Sequence, residues 1–164
     1  VDVYIIAALI KALTQRPFKL FWVGFGSQLE KGCILDAAAA LAGHDVEAAV
    51  IDARTLVPFD YDTIIASVRR TGRLIIVSEA VERGSFANTV AANVTRLAFA
   101  DLEAPPVVLG APNWIAPGAD MEEKYAPQEH DICDAVLGEF FADKRINRRG
   151  VRNWDIAGMA KRGL

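Results

Sequence analysis

Short apolar runs alternate along this chain with segments whose apolar residues recur every three or four positions, and that alternation constrains the fold more than any other feature. An apolar run of four to eight residues suits a strand covered on both faces, whereas the longer period marks a helix with one buried stripe. Leu20–Phe25, Leu74–Val77 and Val107–Leu109 are runs of the first kind, and Val46–Asp52 reads as a further strand. Between them the helical period returns. After Gly26, the segment Ser27-Gln28-Leu29-Glu30 has the Ser-x-x-Glu pattern of a capping box, and the helix it opens is predicted to reach about Ala42. Cys33, Ile34, Ala37 and Leu41 share one face of it, and Gly43 offers a left-handed position to close it.

Asp60 is a plausible cap for a second helix with Tyr61, Ile64, Ile65 and Val68 as its apolar stripe. Arg69 and Arg70 suit the negative end of that helix, and Gly72 stops it. Gly84-Ser85-Phe86 turns the chain into a third helix, predicted to bury Phe86, Val90, Val94 and Leu97. Pro112 and Pro117 mark Gly110–Gly118 as an ordered loop. A last helix from about Gln128 to Phe141 is expected to bury Ile132, Val136, Leu137 and Phe140. Because parallel neighbours need a helical crossover, the pattern implies an α/β fold: a mostly parallel sheet with helices on both faces.

The 164 residues suffice for about one domain. With 18 basic against 21 acidic residues the net charge is -3, so nothing electrostatic favours nucleic acid or an anionic membrane as a partner. Val1–Leu13 is apolar apart from Asp2 and Lys11, but it falls short of the roughly 20 residues that span a bilayer. It also lacks the positive flank and small-residue cleavage site of a signal peptide. Opening on Val1 rather than Met is expected of part of a longer protein. Cys33 and Cys133 stand without metal-ligand spacing and read as buried thiols of a reducing compartment, and His44 and His130 are isolated.

Sequence chemistry is sparse. No Gly-x-Gly-x-x-Gly or Gly-x-x-x-x-Gly-Lys-Ser/Thr cradle for phosphate occurs, Gly24-Phe25-Gly26-Ser27 being the nearest approach, and no Gly-x-Ser-x-Gly elbow supports a hydrolase. Glu79 and Glu82 follow the third strand, on the side of an open α/β sheet where ligands usually sit. They read either as a proton-transfer pair or as structural carboxylates beside Arg83. The most distinctive segment is Asp52-Ala53-Arg54-Thr55-Leu56-Val57-Pro58-Phe59-Asp60, in which Arg54 is suited to a bidentate pair with a carboxylate, as an internal brace or a subunit contact.

That segment, followed by Ser67-Val68-Arg69-Arg70-Thr71-Gly72-Arg73-Leu74-Ile75-Ile76-Val77-Ser78-Glu79-Ala80, closely resembles the C-terminal domain of transketolase-like enzymes, with the beta subunits of pyruvate and branched-chain 2-oxoacid dehydrogenases as the nearest branch. Gly84-Ser85-Phe86-Ala87 stands where the family usually has Gly-Gly-Phe-Gly. Leu102-Glu103-Ala104-Pro105 resembles its Leu-Asp-Ala-Pro, and Tyr125-Ala126-Pro127 with Asp131-Ile132 continues the likeness, so that it covers about residues 23–140. The resemblance implies a three-layer α/β/α domain on a mixed, mostly parallel five-stranded sheet with one antiparallel strand. It divides the chain into a divergent linker or apolar arm (1–19), the domain itself (20–142) and a basic extension (143–164).

In such enzymes two other domains hold thiamine diphosphate and magnesium, through a Gly-Asp-Gly motif ending in Asn and an activating glutamate. Neither has a counterpart here, so the resemblance implies an assembly domain that is inactive alone, with no catalytic, cofactor-binding or metal residue of its own. Its expected partners are the remaining thiamine-binding domains or alpha subunit, a second beta subunit, and the dihydrolipoyl acyltransferase core. Arg54, Glu79, Glu103 and Trp154 are the expected partner or subunit contacts, Glu103 being the acid that would meet the basic peripheral-subunit-binding domain. The compartment expected is the cytoplasm, or the mitochondrial matrix of a eukaryote. Two other readings remain: the same domain of a transketolase or deoxyxylulose-phosphate synthase, and a stand-alone α/β protein-binding module.

Overall fold

Ile75, Ile76 and Val77 are β-branched residues that fit a pleated backbone with both faces covered, and they open the longer strand of the computed structural model, which describes residues 28–53, 55–115, 118 and 125–141. The elements are α1 (Gln28–Ala42), α2 (Tyr61–Thr71), β1 (Ile75–Val81), α3 (Phe86–Ala98), a 3-10 turn (Phe99–Asp101), β2 (Val107–Ala111) and α4 (Glu129–Phe140). β1 and β2 pair in parallel, Ile75 opposite Val107, Ile76 opposite Val108 and Val77 opposite Leu109. α3 is the crossover that a parallel pair requires. The register shifts between Val77 and Val81. In that interval the Ala80 N–H is taken by Ser78 Oγ, a fully buried hydroxyl 3.2 Å away, instead of going to the neighbouring strand.

Period-two alternation along β1 sorts the core into two clusters. Ile75 and Val77 point to one side, where they join Leu109 of β2 with Ile34, Ala37 and Leu41 of α1 and Ile132, Val136 and Leu137 of α4. Leu74 and Ile76 point to the other, against Ile64 and Val68 of α2 and Ala87, Val90, Val94 and Ala98 of α3. This is the three-layer α/β/α arrangement expected from the sequence. Within the first layer, Cys133 Sγ contacts the Ala37 carbonyl and Cys33 Sγ contacts Gln128 Oε1, each at 3.7 Å, so α1 and α4 run side by side in the same direction.

Several helix ends follow their sequence signals. Asp60 caps α2, accepting from the Thr63 amide at 3.0 Å and the Thr63 hydroxyl at 2.6 Å. Gly72 closes α2 at φ 70°, its amide donating to the Val68 carbonyl. α4 begins with a capping box between Gln128 and Asp131.

Three expectations are corrected. Asp45, not Gly43, takes the left-handed position after α1, at φ 57°. Bonds from Asp45 N to Ala42 O and from Val46 N to Leu41 O then form a Schellman motif, held by Leu41 and Val46 in the same core cluster. Leu97 is exposed, because α3 is turned so that Ala87, Val90, Val94 and Ala98 line the sheet, and the alanines at either end let it lie close. Gly110 and Ala111 finish β2 instead of opening the loop. Of the expected five-stranded sheet, the described residues hold one parallel pair, β1 and β2. Val46–Asp52 forms no regular strand and carries one bridge, at Asp52. Leu20–Phe25, expected as the first strand, lies outside the described residues, as do Ser27 and the two terminal segments 1–19 and 143–164.

Candidate assembly surface

Each helix that flanks the parallel strands returns antiparallel to them, so the starts of α2 and α3 meet at the C-terminal end of the sheet. Phe59, just before α2, is the link: its ring packs edge-on against Tyr61 at 4.8 Å and Phe86 at 5.4 Å. The Tyr61 hydroxyl is in turn bonded to Asn93 Nδ2 at 2.6 Å. These contacts fix the rim from below, and two loops build its top. Glu82 extends the strand pairing by donating its amide to Ala111 O at 2.9 Å. The amide of Arg83 donates to Asn113 Oδ1 at 2.8 Å. The Tyr125 hydroxyl lies 2.9 Å from Pro112 O and 3.1 Å from Trp114 O, pinning the loop after β2. Burial pushes the Tyr125 phenol above its ordinary pKa, so it stays a neutral donor.

The loop held in this way displays apolar side chains. Ile115 is 96 % exposed and Trp114 43 %, and at the same end of the sheet Val57 is 90 % exposed. Phe99, at the opposite end of the sheet, is exposed as well, at 76 %; large apolar groups left in water in this way suit a surface that meets protein. The polar contribution is Glu79 and Glu82, near the end of β1, where Glu79 is half-buried.

At the opposite end of the sheet lies a second cluster. Glu103 donates its amide to Gly72 O at 2.7 Å, and its carboxylate lies 3.4 Å from Arg73 Nη2. The Arg73 guanidinium sits 5.0 Å from the centre of the Phe141 ring, so the end of α4 is tied to the turn between α2 and β1. A Cβ on residue 72 would run into the Glu103 side chain, so Gly72 is needed for space as well as for its turn. Arg69 and Asp101 pair beside it at 3.3 Å.

Of the expected contact residues only Glu79 and Glu103 are described, and those two are not brought together. Glu79 and Glu103 stand at opposite ends of β1, and Arg54 and Trp154 lie outside the described residues. Among the described residues, no three His, Cys, Asp or Glu side chains are grouped as a metal site requires. The described helices also include none long and apolar enough to cross a membrane. Cys33 and Cys133 are both free thiols, and burial is the main cause of the raised pKa of Cys33. Sequence reasoning did not single out Tyr125, Arg73 or Phe141 for a role. Its one available signal was the basic residue after Gly72, but a ring partner almost 70 positions away leaves no local pattern.

A three-layer α/β domain whose sheet end is rimmed by apolar loops is the class that this geometry defines. The family model for the transketolase C-terminal domain matches residues 13–132, and the chain belongs to that family. It is 39 % identical over 102 residues to the pyruvate dehydrogenase E1 component subunit beta of Bacillus subtilis, covering 62 % of this chain and 31 % of the relative. The subunit beta of acetoin:2,6-dichlorophenolindophenol oxidoreductase from Cupriavidus necator is also 39 % identical, over 103 residues, 62 % of this chain and 30 % of that one. Among solved structures, a split-gene transketolase described as an inactive beta4 tetramer superimposes with a TM-score of 0.57 at 25 % identity, over 79 % of this chain and 40 % of the other. The chain thus matches about a third of the length of its curated relatives.

Proposed function

We propose that this chain serves as the C-terminal assembly domain of the beta subunit of a thiamine-diphosphate-dependent 2-oxoacid dehydrogenase, joining subunits without performing the chemistry. The observation that carries this reading is the rim of Val57, Trp114 and Ile115, apolar and exposed at the sheet end where an α/β fold ordinarily receives a ligand. The family membership and the beta-subunit relatives support it. In the assembled enzyme, thiamine diphosphate and magnesium are held by the remaining domains and the alpha subunit. The thiazolium stores the electrons released when carbon dioxide leaves a 2-oxoacid. Acetoin is the alternative substrate, from the equal identity to an acetoin oxidoreductase subunit.

Docking to the acyltransferase core is assigned to the opposite end of the sheet. There Glu103 offers a half-exposed carboxylate whose direction is set by Arg73 and Gly72, suited to a basic domain. A second beta subunit completes the assembly, in the cytoplasm or the mitochondrial matrix.

Two binding experiments test these assignments. Titrated with the peripheral-subunit-binding domain of a dihydrolipoyl acyltransferase, the chain should bind, and Glu103→Arg should weaken binding by about tenfold or more. Equal affinity for both proteins contradicts the docking role. The rim is tested by Ile115→Asp, which should weaken association with the remaining thiamine-binding domains and leave the folding transition unchanged.

A further inference from the structure

Trp114 and Ile115 are exposed, yet the backbone that carries them is fastened as a buried one would be. A surface loop ordinarily gives its polar groups to water. Here the Trp114 amide donates back to Pro112 O at 2.7 Å, closing a three-residue turn. Asn113 Oδ1 accepts the Arg83 amide at 2.8 Å, which joins this loop to the one that follows β1. The Tyr125 hydroxyl, 2.9 Å from Pro112 O and 3.1 Å from Trp114 O, spans both ends of the same turn. A phenol has one proton to donate and here faces two acceptors, so it holds the turn only while protonated. Burial keeps it so, by raising the Tyr125 pKa. Of these ties only Tyr125 comes from outside the two loops, 11 positions beyond Trp114 in the chain.

We infer that Tyr125 is the positioning residue of the apolar rim: its hydroxyl holds Trp114 and Ile115 in the arrangement that meets the neighbouring domains, so the rim binds preformed instead of ordering on contact. This rests on the rim being a joining surface, as proposed above. The Trp114 carbonyl belongs to the peptide plane shared with Ile115, so fixing that oxygen fixes the direction in which Ile115, the most exposed apolar side chain of the rim, leaves the backbone. Pro112, whose φ is set by its ring, holds the other end of the turn. A surface competent for only a fraction of the time binds with an affinity reduced by that fraction. Removing the hydroxyl leaves both carbonyls to water, so the cost falls on the order of the rim and not on the fold.

Tyr125→Phe tests this by deleting the hydroxyl and keeping the ring, with Thr95→Val, which deletes a hydroxyl bonded within α3, as its control. Hydrogen exchange of the Trp114 amide, followed by NMR on the full chain, reads the order of the turn. It should speed by about tenfold or more in Tyr125→Phe, while the amides of β1 and β2 keep their wild-type rates and Thr95→Val leaves Trp114 alone. Affinity for the remaining thiamine-binding domains, read by calorimetry, should fall by the same factor. Ile115→Asp should weaken that binding with Trp114 exchange unchanged. An unaltered Trp114 rate in Tyr125→Phe overturns the inference, and so does faster exchange throughout β1 and β2, which would make Tyr125 a prop of the whole domain. Faster Trp114 exchange with undiminished affinity overturns it too, and Ile115→Asp then tells which claim failed. Binding weakened by that variant leaves the rim standing as a joining surface, whereas binding untouched by it, or absent in the wild type, removes the rim itself.

Discussion

Replacing Gly110 by alanine should be among the most damaging small changes available to this domain. Gly110 lies in β2 beside the end of β1, and a Cβ there would stand 2.8 Å from Ala80 O, 2.8 Å from Glu82 Cα and 2.9 Å from Glu82 N. All three obstacles are backbone, so no side chain can rotate away. Relief requires the strands to part where Glu82 N bonds to Ala111 O. Overpacking of this kind costs about 1–3 kcal/mol. For a chain of this size each kcal/mol moves the melting temperature by about 2–4 °C, so Gly110→Ala should lower it by about 2–12 °C. The internal control is Gly138 in α4, where a Cβ would have nothing within 4 Å. Gly138→Ala should be neutral or stabilising by up to about 1 kcal/mol, through helix propensity. Thermal melts followed by far-UV circular dichroism read both. Equal melting temperatures for the two variants would refute the reasoning, because it derives the whole difference from the space at each site.

Three further outcomes follow from the local chemistry. Asp60→Ala should cost about 1 kcal/mol in chemical denaturation, the usual worth of a cap. The bonds from Thr63 hold the Asp60 carboxyl below its ordinary pKa, so the cap's contribution is present above about pH 4 and fades as pH falls through the lowered value; the deficit of the variant should shrink there. Burial raises the pKa of the Cys33 thiol, so iodoacetamide at pH 7.5 should alkylate it more slowly than an unfolded-chain cysteine, and equal rates would contradict that origin. A double-mutant cycle between Arg73 and Glu103, read by urea unfolding, should give a coupling of about 0.2–1 kcal/mol, since Glu103 is half-exposed. Arg73→Ala should cost somewhat more than the coupling because it also leaves the Phe141 ring.

Much of the fold was legible because its signals are local. The cap at Asp60, the stop at Gly72 and the stripe of Ile64 and Val68 are each decided within one turn of helix. The apolar runs at Ile75–Val77 and Val107–Leu109 likewise announce a sheet covered on both sides. Where the reading missed, a nonlocal choice decided. Leu97 and Ala98 are adjacent and both apolar, and only the angle at which α3 meets the sheet buries the alanine. Gly43 and Asp45 compete to end α1, and the contact of Val46 with Leu41 selects the later residue. The surfaces were harder still. Glu79 and Glu103 both sit at ends of β1, but at opposite ends, and a linear sequence does not show that separation.

The division of labour at the centre of this account, with joining surfaces here and cofactor groups elsewhere, is tested most directly by calorimetry. Thiamine diphosphate titrated with magnesium into the purified chain is predicted to give only the heat of dilution. A saturable isotherm with one site per chain would contradict it.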